Sequence, residues 1–161
     1  MLLAIETSCD ETAVALFDTG QSRPVLIGEL VSSQTELHEL YGGVVPELAA
    51  REHLKNLPLM LDKLLKQFSV DVSKLTSVAV TRGPGLKGCL LIGLCFAKAL
   101  AQAKGIPFLG INHIEGHVLV PMLDNPELKF PYLALIVSGG HTEIHEVRGV
   151  GEYTLLSRTR D

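Results

Sequence analysis

No run of basic residues occurs anywhere in the chain. Fourteen Lys and Arg face eighteen Asp and Glu, a formal net charge of −4, so electrostatics alone give this segment no strong hold on a nucleic acid. Any such contact must come from local patches or from partners. Cysteine is scarce: Cys9, Cys89 and Cys95 are an odd set without CxxC spacing. That excludes a disulfide framework and fits reduced thiols in a cytosolic compartment. Long hydrophobic runs are also missing. The apolar opening at 1–5 is cut off by Glu6 and Asp10 with no basic residues before it, unlike a secretory signal. The longest apolar stretch, 89–101, contains Lys98 and several small residues and is too short to cross a membrane.

What is present is enough apolar material for a folded core. Hydrophobic residues make up 47% of 161 and charged residues 20%, a balance that excludes disorder. The length suits one domain, or one domain and the start of a second. Mean hydropathy is +0.29, high for a small soluble domain. It implies either a buried, near-parallel sheet or a surface made to be covered. Cys89 and Cys95 fall in an apolar helical stretch and are expected in the core, with Cys9 in an exposed loop.

The pattern along the chain predicts an opening meander: strands at 2–6, 12–17 and 24–33, with the polar turn Thr7-Ser8-Cys9-Asp10-Glu11 between the first two. Gly42 and Gly43 end a loop, and Pro46 with Glu47 suits the first turn of a helix. Leu54, Leu57, Leu61, Leu64 and Phe68 give that helix one apolar face, and Pro58 inside it should bend it. A buried strand at 77–81, a helix at 86–104 and a strand at 107–111 follow. Small residues Gly88, Gly93 and Ala97 would let that helix pack closely on a sheet. The order βββαβαβ is that of a ribonuclease H-like lobe rather than a Rossmann domain. A helix at 113–123, a linker at 124–131 with Pro126 and Pro131, and strands at 132–137, 142–147 and 153–156 complete the chain. The expected domains are therefore a first lobe at 1–123, the linker, and the first strands of a second, similar lobe at 132–161. A lone three-stranded meander cannot bury both faces, so it must lean on other structure.

Four strings could carry chemistry. His113-Ile114-Glu115-Gly116-His117 sets two imidazoles on one helix face, one turn apart. That spacing suits a transition metal; the plainer reading is two surface histidines. The acid stands third, not second as in HExxH, which weakens a zinc-protease reading. No spacing selects a third ligand from His141, His145, Glu143 or Asp10, and the expected one lies beyond residue 161. Ser138-Gly139-Gly140-His141-Thr142 after a strand can form an anion nest or an ordinary hairpin turn. Thr7-Ser8-Cys9-Asp10-Glu11-Thr12 holds the matching place in the first meander. Asp10 or Glu11 there could hold Mg²⁺ or orient water, or the loop could be only a polar tip. Gly83-Pro84-Gly85-Leu86-Lys87-Gly88 is literally GxGxxG. It does not open a βαβ unit, and no acid ends the next strand, so a tight turn and a close helix–sheet contact explain it better.

Taken together the strings resemble the TsaD family, also known as Gcp or O-sialoglycoprotein endopeptidase. The matches are Ile5-Glu6-Thr7-Ser8-Cys9-Asp10-Glu11-Thr12, Tyr41-Gly42-Gly43-Val44-Val45-Pro46-Glu47-Leu48-Ala49, Gly83-Pro84-Gly85-Leu86, Asn112-His113-Ile114-Glu115-Gly116-His117 and Val137-Ser138-Gly139-Gly140-His141-Thr142. They stand in the family's order and cover nearly the whole chain. The resemblance implies an α/β actin-like ATPase fold of two ribonuclease H-like lobes. It implies transfer of threonylcarbamoyl from threonylcarbamoyl-adenylate to N6 of adenosine 37 in tRNAs reading ANN codons. It implies one divalent metal ion per subunit on His113 and His117, iron or zinc, and Mg²⁺ with a nucleotide such as ATP. Ile136, Val137, Ser138, Gly139 and Gly140 match the adenylate-binding loop, and Asp10 and Glu11 match acidic, catalytic positions. TsaB and TsaE are the implied partners, with TsaC-type enzymes supplying the adenylate, in a bacterial cytoplasm. The family's chain runs on for roughly another lobe. The expectation is therefore a shortened chain that binds metal weakly, lacks transferase activity alone and forms a homodimer through its uncovered face. Competing readings are a non-catalytic partner-binding lobe, a metalloprotease as the older family label suggests, and a sugar-kinase-like ATPase.

Overall fold

The structure, a computed structural model, describes every residue except Ser22, Ser138, Gly139, Gly140 and Asp161, and the side chains of all the others but His141 and Arg160. The chain divides into two compact units, Met1–Asn112 and His113–Asp161. The division falls earlier than the expected lobe limit at Leu123. The reason is packing: Val118 is buried with Ile136 and Val147, and the Tyr132 hydroxyl donates to the Val118 carbonyl at 2.9 Å. The residues after Asn112 thus share a core with the second meander.

In the first unit β1 (Leu2–Glu6), β2 (Glu11–Asp18) and β3 (Val25–Ser33) form the predicted antiparallel meander. A five-residue helix α1 (Thr35–Glu39), which no apolar periodicity announced, leads to α2 (Pro46–Gln67). Then come β4 (Ser77–Gly83), α3 (Lys87–Lys104) and β5 (Phe108–Asn112). The sheet order is β3-β2-β1-β4-β5, with β4 parallel to β1 and to β5. This is the arrangement expected of a ribonuclease H-like lobe. Its consequence for function is positional: β1, β4 and β5 all end at one edge of the sheet, where ligands gather in open α/β folds.

Period-2 alternation sends Leu3, Ile5, Val14, Leu16, Val78 and Val80 to the face packed by Leu57, Leu61 and Leu64 of α2 and Ala97 and Ala101 of α3. The opposite face carries the row Glu29, Ala15, Ala4, Ala79, Leu109, paired across the five strands. A shallow, largely apolar hollow of about 180 Å³ lies there. Helix α2 starts with Pro46 at a position whose N–H has no helical partner and continues through Pro58. Its buried stripe is Ala49, His53, Leu57, Met60, Leu61 and Leu64. Leu54, expected on that stripe, is 62% exposed; His53 holds the inward position because polar partners await it there.

The second unit opens with α4 (His113–Leu119) and α5 (Pro121–Asp124) rather than the single helix expected over 113–123. Pro121 has no N–H for the preceding turn and its ring opposes helical continuation. Strands β6 (Tyr132–Val137), β7 (His141–Gly149) and β8 (Glu152–Arg160) form an antiparallel sheet in sequence order. Among the described residues no helix is long and apolar enough to cross a membrane. Cys89 is buried as expected, and Cys9 is exposed. Cys95 is exposed, not core, since it lies one turn from the exposed Leu91 on the outer side of α3.

Candidate functional site

The loop after β1 is built by side chains that turn inward. Glu6, the last residue of β1, accepts from the Ser8 amide and from the Thr81 hydroxyl. The Thr7 hydroxyl donates to the Cys89 carbonyl of α3 at 2.9 Å. Thr7, Ser8 and Thr12 are buried, and the Thr7 and Thr12 hydroxyls are hydrogen-bonded inside the protein. What the loop presents is Cys9, which is exposed, Asp10, which is half-buried, and Glu11, which is exposed at the start of β2. Asp10 fixes the chain through its carbonyl, which accepts from the Gln34 amide at 3.0 Å.

The glycine-rich string is the other wall of this loop. The Leu86 amide donates to the Ser8 carbonyl at 2.7 Å. A Cβ on Gly85 would lie 2.5 Å from that same carbonyl, and one on Gly93 would lie 2.3 Å from the Thr7 hydroxyl oxygen. These glycines are packing devices, as the sequence suggested. Gly88 faces Ala50 of α2 instead of the sheet, with a built Cβ 3.4 Å from the Ala50 Cβ.

Two further residues matter here that motif reading passed over. His53 of α2 is fully buried. Its Nε2 lies 2.9 Å from the Cys9 carbonyl and its Nδ1 2.8 Å from the Thr12 hydroxyl. A carbonyl can only accept, so Nε2 carries the proton. Burial pushes the His53 pKa below its ordinary value, against the pull of the Cys9 carbonyl and of Glu6 and Asp10. His38 of α1 repeats the device: its Nδ1 takes the Val45 amide at 3.3 Å and its Nε2 meets Gln34 Oε1 at 3.1 Å. No pattern in the sequence marked either histidine as buried. Burial also raises the Cys9 thiol, with the Asp10 carboxylate beside it, to about 11.

In the second unit α4 brings His113 Nε2 and His117 Nε2 to 3.1 Å, with the rings edge to face and centroids 4.6 Å apart. Two nitrogens each about 2.1 Å from one ion, subtending roughly 95°, stand about 3.1 Å apart. At this distance the two nitrogens share a hydrogen bond, and the same spacing is compatible with two adjacent positions on a single metal ion. Among the described residues no third His, Cys, Asp or Glu joins them. Glu115, between them, accepts from the Tyr153 hydroxyl at 2.7 Å, which ties α4 to β8. Glu143 and His145 are engaged with each other at 2.8 Å, and Arg158 reaches Glu143 at 3.2 Å. Of the expected adenylate loop, Ile136 is a core side chain packed with Val118 and Val147, and Val137 is 71% exposed at the strand end. Ser138, Gly139 and Gly140 lie outside the described residues.

Comparisons with known proteins bear on the family and the fold. The family model TsaD, described as tRNA N6-adenosine threonylcarbamoyltransferase, matches residues 25–161. The tRNA N6-adenosine threonylcarbamoyltransferase of Pelobacter propionicus is 52% identical over 161 residues, covering all of this chain and 46% of that protein. The protein of the same description from Nitrosomonas europaea is 48% identical and is covered to 47%. The chain thus spans just under half the length of these relatives. Among solved structures, YeaZ from Pseudomonas aeruginosa superposes with a TM-score of 0.61 at 21% identity over 99% of this chain and 67% of that one. The Ppx/GppA phosphatase of Aquifex aeolicus gives 0.53 at 13% over 99% of this chain and 51% of its own. These likenesses support the fold class alone, an α/β lobe of the actin-like ATPase type built on a five-stranded mixed sheet. With a family model over most of its length and relatives near half identity, the chain belongs to the TsaD family of tRNA N6-adenosine threonylcarbamoyltransferases.

Proposed function

We propose that the chain supplies the first lobe, the acidic loop and the histidine pair of an enzyme that transfers threonylcarbamoyl from threonylcarbamoyl-adenylate to N6 of adenosine 37 in tRNA. Family membership gives the reaction class, and the 3.1 Å approach of the His113 and His117 Nε2 atoms is the observation that carries it. A scaffold that only bound a partner would have no use for two converging imidazoles. His113 and His117 would hold one divalent ion, iron or zinc, through neutral imidazole nitrogens. When bound, that ion supplies a Lewis acid for the carbamoyl end of the adenylate. Asp10 and Glu11 stand on the loop braced by Glu6 and His53. Their carboxylates are the groups offered to take the proton that N6 loses as it attacks the carbamoyl carbon and AMP departs. The backbone at Ile136 and Val137 leads into the segment 138–140, which holds the adenylate phosphate; Mg²⁺ accompanies a bound nucleotide. TsaB and TsaE are partners, the setting is the cytoplasm, and the open sheet face lets the isolated chain pair with a second copy.

A chimera tests this. Residues 1–161 replace the matching part of the Pelobacter propionicus relative. The product is incubated with tRNA, TsaB, TsaE and a TsaC-type enzyme, and nucleosides are read by mass spectrometry. Threonylcarbamoyl-adenosine should form, and should be lost with His113→Ala and His117→Ala together. Peptide cleavage or sugar-stimulated ATP turnover without tRNA modification would overturn the reading.

A further inference from the structure

Cys9, Asp10 and Glu11 follow Thr7, whose hydroxyl is spent on the Cys89 carbonyl, and the side-chain contacts that bear on where the two carboxylates stand come from α2. Two contacts reach the loop from one residue of α2: the His53 Nε2–H donates to the Cys9 carbonyl at 2.9 Å, and the Thr12 hydroxyl donates to Nδ1 at 2.8 Å. They clasp the loop on either side of Asp10 and Glu11. The ring is inaccessible to water, with a relative exposure of 0%, and both nitrogens are engaged. The Asp10 carbonyl is held from the other side by the Gln34 amide, and Gln34 is itself fixed by His38 and by the Ala49 carbonyl.

We propose that His53 is a positioning residue for the acidic loop: its neutral ring, with the proton on Nε2, fixes the Cys9 and Thr12 ends of the loop and so sets the placement of Asp10 and Glu11. This rests on the reading of those two carboxylates as part of the transferase site. The groups that face the ring are Glu6 on β1, Asp10 and Cys9 in the loop, and His38 on α1. The two carboxylates favour a charged ring and burial opposes it; burial prevails. Acid therefore acts on the clasp: protonation puts a second proton on Nδ1, where the Thr12 hydroxyl now donates, and places a charge in a site closed to water.

The loop has two reporters. The Gln34 amide donates to the Asp10 carbonyl and the Leu86 amide to the Ser8 carbonyl, whereas the Val78 amide, which donates to Pro107, reports the sheet. Hydrogen exchange at these amides is compared in the wild-type chain, His53→Ala and His53→Gln. A glutamine carboxamide can both donate to Cys9 and accept from Thr12. Alanine should raise exchange at Gln34 by about tenfold or more while Val78 is unchanged, and glutamine should recover most of the protection. Unchanged exchange at Gln34 overturns the proposal. So does an equal rise at Val78 with glutamine no better than alanine. If the alanine variant does not fold, ¹⁵N spectra of the wild-type ring decide: a neutral Nε2–H tautomer at pH 7 supports the clasp, and an Nδ1–H or doubly protonated ring overturns it. In the chimera, His53→Ala should lower kcat with little change in KM, and glutamine should restore it. A chimera inactive even with the wild-type lobe would sink the transferase reading and leave the exchange result standing.

Discussion

At the scale of single residues, environment decides what each polar side chain can do. Cys9 is exposed yet its thiol is raised to about 11 by partial burial and by Asp10. Its thiolate fraction near neutrality is therefore about a hundredfold below that of an ordinary thiol. Site-resolved alkylation at pH 7.5 should show Cys9 slow, and Asp10→Asn should speed it. The His53 shift also has a sign. The folded-state pKa is depressed below the ordinary 6.5, so the unfolded chain takes up a proton first as pH falls. The stability due to the neutral ring is complete above pH 6.5 and is lost progressively below it. Urea midpoints measured from pH 7.5 to 5.5 should fall more steeply for the wild-type chain than for His53→Gln. None of this was visible in the sequence, which marks a histidine's position but not its depth.

At the scale of elements, the sequence was informative where periodicity is long. The three strands of the opening meander, the helices beginning near Pro46 and Lys87, and the parallel strands before and after α3 were all legible from alternation, glycine and proline. Helix α1 was not, because five residues are too few to show a stripe. The break at Val120–Pro121 was missed because the apolar pattern continues across it while the backbone donor does not. Leu54 misled for a related reason: hydrophobicity put it on the buried stripe, and a histidine with two polar partners took the place. The glycine string was read correctly as packing. Gly93→Ala puts a Cβ 2.3 Å from the Thr7 hydroxyl oxygen, between α3 and the end of β1, where neither element can easily retreat. Overpacking of this kind should destabilise by about 1–3 kcal/mol, read as a lower urea midpoint with an unchanged slope, whereas Gly116→Ala, which meets nothing within 4 Å, should not.

At the scale of the whole molecule, the high mean hydropathy has a location. In the first unit both long helices pack on one face of the sheet, and the other face shows the Ala15, Ala4, Ala79, Leu109 row beside Val31, with Leu109 59% and Val31 57% exposed. In the second unit Leu133, Leu135 and Val137 are exposed along β6. Contiguous apolar surface of this kind promotes association, so the chain should sediment as a concentration-dependent mixture, and Val31→Lys with Leu109→Lys should shift it toward monomer. An unchanged distribution would show that this sheet face takes no part. The site itself was only half legible. Spacing set His113 and His117 on one helix face, but only the structure brings their nitrogens to 3.1 Å, and a carboxylate loop reads the same in sequence whether its hydroxyls face in or out.

The histidine pair is where the chemistry proposed for this chain is most exposed to test. Calorimetric titration of the wild-type chain with Zn²⁺, beside the His113→Ala, His117→Ala double variant, measures it directly. One ion per wild-type chain, with affinity lowered at least about tenfold in the variant, is the predicted result; superimposable isotherms for the two proteins would contradict it.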